Sequence, residues 1–568
     1  MRFLQRKLVL MTKKLSIGQY LLDQLYRHGV RHIFGVPGDY VLGFYSLIVK
    51  SPIQLIGTTK EDSAGFAADA YARVRGMGVA CVTFCVGGLN ITNPVAGAYA
   101  EKSPVIVISG APGLKGRERN PLVHHLVRDF ATQREIFSRI TVASTSLEDP
   151  FTAYHEIDRV IHAVERYKRP GYIELPSDMV DVVRSHKHSD QSLAELTDTA
   201  ALQECINEAT AMLNQSRHPV ILAGVEAHRF GLQDALIELV EKTRIPVAAT
   251  ILGKSVVSEA HPLYLGVYEG AMGRTDVQKY VESADCVLML GCFMTDLNLG
   301  VYTANLDANR TIYATSEKTS IRRHSFENVP FRSFFKALLN ARLKRRRKPE
   351  IPKPELTLDS KPRDNDRITT RVLFSLLNNF ITDDMVVISD IGDCLFGAVD
   401  LKIHKRTEFL SPAYYASMGF GVPASLGAQL ADKSLRPLVL VGDGAFQMTG
   451  LELSTVVRLG LNPVVVVLNN HGYSTERQIM EGPFNDILNW NFSKVPQLLG
   501  NGLGFVTHNV GDVRRALKES LANRDSFSII EVDLDPYDIS PALVRLGQRL
   551  GKQVKDLKPG PETKNSKL

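Results

Sequence analysis

A short apolar run rich in Val and Ile, closed by Gly, Asp or Asn and followed by a stretch of helical spacing, recurs along the whole chain. No other feature constrains the fold as much. A strand that is apolar on both faces must be covered on both, and strands joined through helices run parallel, so the repeated unit predicts open parallel sheets with helices on either side. The runs fall into three groups. The first holds His32–Val36, Val79–Val86, Pro104–Ser109 and Tyr172–Leu175; the second Pro219–Ala223, Pro246–Thr250, Cys286–Leu290 and Thr311–Ala314; the third Met385–Ser389, Pro437–Val441, Pro463–Leu468 and Ser528–Val532. The expected fold class is therefore α/β, with three open parallel-sheet domains in series over 12–185, 199–341 and 368–550. A linker at 342–367 and a tail at 551–568 complete the division.

Composition narrows the partners. The 568 residues are 44% hydrophobic and supply several cores, while 67 Lys+Arg against 61 Asp+Glu leave only +6, too little for a dedicated nucleic-acid binder. Polar text from Arg184 to Asp198 and charge- and Pro-rich text from Arg342 to Arg367 offer no core residues and read as linkers. The basic run at 342–348 is a solvated part of the second and is assigned no partner. Six scattered cysteines without a C-x-x-C pair indicate a reducing compartment, and no apolar stretch nears the roughly 20 residues of a membrane span. Neither a nucleic acid nor a membrane is an expected partner, and the expected location is the cytoplasm. Met1–Met11 reads as a ragged leader; Ser566-Lys567-Leu568 spells a peroxisomal address, which a polar tail also reaches by chance.

Chemistry first shows at the end of the run Pro437–Val441, where Gly442-Asp443-Gly444 follows; Asn469-Asn470-His471-Gly472 closes the next run. Loops after neighbouring parallel strands emerge side by side at the carboxyl edge, so Asp443 and Asn470 can converge on one ion. A carboxylate, an amide oxygen and a backbone carbonyl are hard ligands suited to Mg²⁺ or Ca²⁺, and the glycines let phosphate oxygens approach the backbone. Gly-Asp-Gly alone is also an ordinary turn. With the paired loops, the sequence resembles the thiamine diphosphate enzymes. The resemblance implies a thiamine diphosphate-binding fold with pyrimidine-binding, middle and diphosphate-binding domains. It also implies thiamine diphosphate and Mg²⁺ as cofactors, with Asp443, Asn470 and the Gly472 carbonyl as metal ligands, and Gly442, Gly444 and Ala445 against the diphosphate.

The same resemblance implies an activating carboxylate. Glu61 precedes Ala64-Gly65-Phe66-Ala67-Ala68-Asp69-Ala70-Tyr71-Ala72-Arg73, a helix poor in bulk and open to close packing, although an acidic residue at a helix start also suits the helix dipole. In the family such a glutamate protonates the aminopyrimidine and promotes the nucleophilic ylide. By the same resemblance Ala416, Ser417 and Met418 surround the pyrimidine, Ala416 through its carbonyl and Met418 as an apolar wedge. Gly392 and Asp393 occupy a further loop that touches the cofactor.

Three elements resemble the 2-oxo acid decarboxylases related to pyruvate and indolepyruvate decarboxylase: Asp39 in Val36-Pro37-Gly38-Asp39-Tyr40, His124-His125, and Glu476 in Gly472-Tyr473-Ser474-Thr475-Glu476. Singly they also read as a turn residue, a satisfied His pair and a helix-face charge; together they read as a proton relay. The resemblance runs from about Lys14 to Ala542 and includes Gly266–Gly270 and Ile321–Arg323. It implies loss of CO₂ through an enamine and release of an aldehyde. Glu476 acts on the adduct, Asp39 and His125 assist protonation and release, and His124 belongs to the same catalytic set. It implies a homodimer or dimer of dimers as well. Leu126 stands where many relatives carry Thr, and Leu297 and Leu395 stand where some pyruvate enzymes carry aromatic residues, beside the small Thr475. Less bulk admits a larger substrate, so an aryl or branched acid such as phenylpyruvate or indolepyruvate is expected over pyruvate. The stretch Gly97–Ser103 adds nothing to this choice, because Glu101 and Lys102 read as surface residues. The rival reading is a carboligase of the acetohydroxyacid synthase type.

Overall fold

A computed structural model describes residues 15–183, 196–352, 361–404 and 409–547. The leader Met1–Met11, the polar stretch at 184–195, residues 353–360 of the linker, and the tail with its Ser566-Lys567-Leu568 end lie outside the described residues. Three sheets follow one another along the chain. The first consists of β1 (His32–Gly35), β2 (Gln54–Gly57), β3 (Gly78–Val82), β4 (Val105–Ala111), β5 (Ala143–Ser146) and β6 (Gly171–Pro176), all parallel in the order β2-β1-β3-β4-β6-β5. The second has β7 (Pro219–Ala223), β8 (Val247–Ala249), β9 (Tyr264–Val267), β10 (Cys286–Leu290), β11 (Thr311–Ala314), β12 (Thr319–Ile321) and β13 (His324–Phe326). Its order is β13-β12-β11-β10-β7-β8-β9. The third comprises β14 (Met385–Ser389), β15 (Phe409–Leu410), β16 (Arg436–Gly442), β17 (Val464–Asn469), β18 (Leu503–Thr507) and β19 (Ser528–Asp533), parallel in the order β15-β14-β16-β17-β19-β18.

The α/β class and the three sheets agree with the sequence reading, and the differences have physical causes. The second sheet is mixed, because β11, β12 and β13 form an antiparallel meander. The run Val79–Val86 overshoots: β3 stops at Val82, and Cys85, at φ +49°, turns the chain into a helix at Val86–Asn90. Most strands the apolar pattern misses are marginal ones, such as β5, β13 and β18, whose burial is partial and which need no two-sided apolar run. The linker at 342–367 is not wholly solvated either, since Leu343 packs on the second sheet's core and Ile351 on a neighbouring cluster.

By its internal contacts the chain groups into two compact units. One covers Met1–Glu195, Tyr415–Leu435 and Thr449–Leu461; the other Leu196–Tyr414, Arg436–Met448 and Asn462–Leu568. Within the first, the helix Glu61–Arg75 crosses the helix Gly421–Ala431 with almost no separation. A Cβ placed on Gly427 would stand 2.0 Å from the Ala67 carbonyl oxygen, so only glycine allows the contact. Glu101 and Lys102 correct an expectation, being 0% and 1% exposed rather than surface residues. Arg73 satisfies the buried charge by binding Asp69 at 2.7 Å and Glu101 at 2.8 Å.

Gly427→Ala forces these helices apart and is expected to destabilise the first unit by about 1–3 kcal/mol. Gly116→Ala, whose new methyl meets nothing within 4 Å, is the control. Denaturant midpoints of the two variants check the difference.

Candidate active site

The site residues lie at the carboxyl edges of two sheets, and each half is built within its own unit. In the first sheet the adjacent strands β2, β1, β3 and β4 send their following loops to the same edge. Glu61 starts the helix after β2, Asp39 follows β1, the Thr83–Gly87 turn follows β3, and His124-His125 lie on the path after β4. Asn90 Nδ2 donates to Glu61 Oε2 at 2.6 Å, and a Cβ on Gly87 would come 3.4 Å from Glu61 Oε1. The carboxylate is thus oriented by one amide while its other oxygen faces a glycine. The loop before it is held from below: Glu452, fully buried, accepts from Thr59 Oγ1 at 2.5 Å and from the Thr59 N–H at 3.1 Å.

Asp39, His124 and His125 come together. His124 Nε2 lies 2.5 Å from Asp39 Oδ2, and the His124 ring stacks on Tyr40 at 4.9 Å and meets His125 edge-on at 4.7 Å. The ligating atoms of all three fall within 4.8 Å of one another. His125 sits at φ +67°, and its buried Nδ1 has no hydrogen-bond partner. His125 thus combines a left-handed backbone with a nitrogen that has no hydrogen-bond partner. Leu126 packs beside them against Phe84 and Cys85. Ala416, Ser417 and Met418 also belong to this unit. Ala416 adopts φ +59°, Ser417 Oγ accepts from Asn93 Nδ2 at 2.8 Å, and Met418 is 36% exposed, not a core methionine.

In the third sheet, β14, β16 and β17 are neighbours and deliver the other half. Asp443, 2% exposed, accepts from the Gly444 N–H at 2.7 Å and the Gly472 N–H at 3.0 Å. Burial nevertheless pushes its carboxyl up to about 6, since desolvation outweighs those two donors. Asn470 is buried and bonds Ser474, and Asn469 Oδ1 beside it is buried with no partner. Gly442 has nothing within 4 Å of its would-be side chain, leaving open space at the loop, whereas a Cβ on Gly472 would strike the Asn485 carbonyl at 2.1 Å. Ala445 is 4% exposed at the head of the helix Asp443–Thr449. A buried carboxylate with a buried amide beside it, Asp443 and Asn470, is a hard-oxygen set that fits a divalent cation, and the open glycine fits a diphosphate.

Gly392, at φ +88°, faces Thr475, whose Oγ1 is 3.5 Å from its would-be Cβ. Both oxygens of Asp393 accept from the Ser540 N–H at 3.0–3.1 Å, and burial pushes that carboxyl up to about 6. Asp393 therefore anchors the start of the C-terminal helix. Glu476 lies on the helix Ser474–Ile479; the residue is exposed as a whole, but partial desolvation raises its carboxyl above the ordinary value. Leu395 is fully buried in the third sheet's core, while Phe396, one residue on, packs near Leu297, Leu543 and Leu546.

Sequence reasoning missed Asn90, Glu452, Asn93 and Glu101. Each is a polar residue whose partner is distant in sequence or on an adjoining helix, and no local pattern announces it.

With this geometry in place, comparison with known proteins decides the family. Residues 15–132 match the thiamine pyrophosphate enzyme N-terminal TPP-binding domain, 206–341 the central domain, and 390–532 the C-terminal TPP-binding domain. The chain is 35% identical over 545 residues to an indole-3-pyruvate decarboxylase of Azospirillum brasilense, covering 94% of this chain and 98% of that protein. The chain belongs to the thiamine diphosphate-dependent 2-oxo acid decarboxylase family. Two more relatives, alpha-keto-acid decarboxylases of Mycobacterium tuberculosis and Mycobacterium leprae, are each 34% identical over 548 and 547 residues. These matches cover 95% and 94% of this chain, and 97% and 95% of those proteins.

Removing the buried carboxylate of Asp443 tests whether this loop pair holds a cation. Asp443→Ala is expected to weaken Mg²⁺-supported binding of thiamine diphosphate by at least about 100-fold, read by calorimetric titration.

Proposed function

We propose that this chain converts an aryl or branched 2-oxo acid to its aldehyde and CO₂ with thiamine diphosphate and Mg²⁺. The observation that carries the reading is the cluster of Asp39, His124 and His125 at the same sheet edge as Glu61. Bound thiamine diphosphate supplies the nucleophilic carbon and the electron sink that the cleavage of a bond next to a carbonyl requires. Glu61 holds a proton at the aminopyrimidine ring, and Asn90 keeps its carboxylate oriented for that exchange. Asp39 and His124 share a short hydrogen bond and deliver a proton through His125, whose unpartnered Nδ1 is ready to accept or donate one. Glu476, with its raised carboxyl, exchanges a proton nearer neutrality than an ordinary glutamate. Ala416, Ser417 and Met418 hold the pyrimidine ring; Gly392, Asp393 and the Gly442–Ala445 loop receive the rest of the cofactor; Asp443, Asn470 and the Gly472 carbonyl hold Mg²⁺.

For the substrate, support comes from Leu297 and Thr475, which carry little bulk, and from the similarity to the Azospirillum indole-3-pyruvate decarboxylase. The protein acts as a homodimer or dimer of dimers in this reading, as the family resemblance implies. No described helix is long and apolar enough to cross a membrane. Six buried free cysteines support the cytoplasm as the compartment, with the peroxisome as the alternative that the Ser-Lys-Leu terminus raises.

Aldehyde release from pyruvate, 2-oxoisovalerate, phenylpyruvate and indolepyruvate, with and without thiamine diphosphate and Mg²⁺, tests the function. Cofactor-dependent aldehyde is expected, with kcat/KM for an aryl or branched acid at least tenfold above that for pyruvate. Aldehyde from none of the acids, with acetohydroxyacid formed instead, would replace decarboxylation by carboligation.

A further inference from the structure

The helix Thr92–Ala100 and the Glu101 that follows it touch the turn Tyr415–Ser417 three times. Asn93 Nδ2 donates to Ser417 Oγ at 2.8 Å. A Cβ on Gly97 would stand 3.0 Å from Cδ1 of the Tyr415 ring, so the ring lies directly on the helix there. Glu101 Oε1 accepts from the Tyr415 N–H at 2.9 Å. Positions 93, 97 and 101 are four residues apart, so they stack on one face of the helix and its end. That face carries one amide donor, one bare backbone position and one carboxylate, each matched to a different part of the same short segment.

The carboxylate is also fixed from behind. Glu101 Oε2 takes a hydrogen bond from Arg73 at 2.8 Å, and Arg73 in turn grips Asp69 on the helix that begins at Glu61. The Arg73 guanidinium lies over the Phe420 ring at 5.1 Å, and Phe66 of the Glu61 helix meets the same ring edge-on at 5.9 Å. The turn therefore hangs between two helices of the first unit, and its Ala416 sits at φ +59°, a conformation that an L residue keeps only where its surroundings impose it.

We propose that Glu101 is a positioning residue for the cofactor: with Asn93 and Gly97 it sets the turn whose Ala416 and Met418 receive the aminopyrimidine ring. The inference rests on the reading that this turn binds the ring. Glu101 touches no cofactor atom in this account; it acts through the Tyr415 N–H, with Arg73 holding its second oxygen.

The test compares two ligands. Glu101→Ala, Glu101→Gln and Asn93→Ala are titrated calorimetrically, in the presence of Mg²⁺, with thiamine diphosphate and separately with inorganic pyrophosphate, which has no ring. Expected are about tenfold weaker thiamine diphosphate binding in Glu101→Ala and Asn93→Ala, and unchanged pyrophosphate binding. Glu101→Gln falls between Glu101→Ala and wild type, because its amide oxygen still accepts from Tyr415. A general structural role would weaken both ligands in parallel, and that result, or unchanged affinity for thiamine diphosphate, overturns the proposal. If Glu101→Ala does not fold, Asn93→Ala, at an exposed contact, decides alone. Wild-type protein that binds no thiamine diphosphate would instead remove the functional reading, and this inference with it.

Discussion

Parallel strands joined through covering helices send every strand-to-helix loop to the same edge of the sheet, and the candidate site depends on that constraint. In the first sheet β2, β1, β3 and β4 are neighbours, so Glu61, Asp39, the Thr83–Gly87 turn and the His pair gather although 86 positions separate Asp39 from His125. In the third, β14, β16 and β17 are neighbours, which brings the loops of Gly392, Asp443 and Asn470 side by side. The strands themselves carry almost no chemistry. They are filled with Val, Ile and Leu that are fully buried, and this rigidity holds polar loops in place.

Close packing does the remaining work in the first unit. The helix behind Glu61 is built from Ala and Gly, which lets Gly427 of a second helix reach its backbone. Where that small-residue seam ends, the interior is charged instead: Arg73 sits between Asp69 and Glu101 with almost no exposure. Glu101 also accepts from the Tyr415 N–H, which ties this charged interior to the turn. Glu452 beneath Thr59 repeats the device on the loop that leads into Glu61. Both halves of this support are polar, buried and directional, so they fix orientation where an apolar contact would fix only distance.

Much of this was legible in the sequence. The apolar runs marked most central strands to within a residue or two, because a strand covered on both faces has no room for polar text. The shared edge of the Asp443 and Asn470 loops was legible because neighbouring parallel strands send their loops the same way, whereas Asp39 and the His pair were named by the family resemblance alone. Edge strands such as β18 were not legible, since half of their surface is open and the apolar pattern breaks. Glu101 was misread as a surface residue for a related reason: nothing next to it in sequence reveals that Arg73, 28 positions away, neutralises it. The packing of Tyr415–Leu435 and Thr449–Leu461 within the first unit was equally hidden, because the approach of Gly427 to the Ala67 backbone leaves no mark in the strand pattern.

Single-turnover and steady-state rates of Glu61→Gln saturated with thiamine diphosphate and Mg²⁺ test most directly whether Glu61 is the proton-transferring group of the loaded enzyme. Glutamine keeps the shape and the contact with Asn90 but cannot exchange the proton. The predicted result is a loss of roughly 10² to 10⁴ in turnover, with cofactor affinity and folding close to wild type. Turnover near wild type in the fully loaded variant would contradict the account and remove Glu61 from the chemistry.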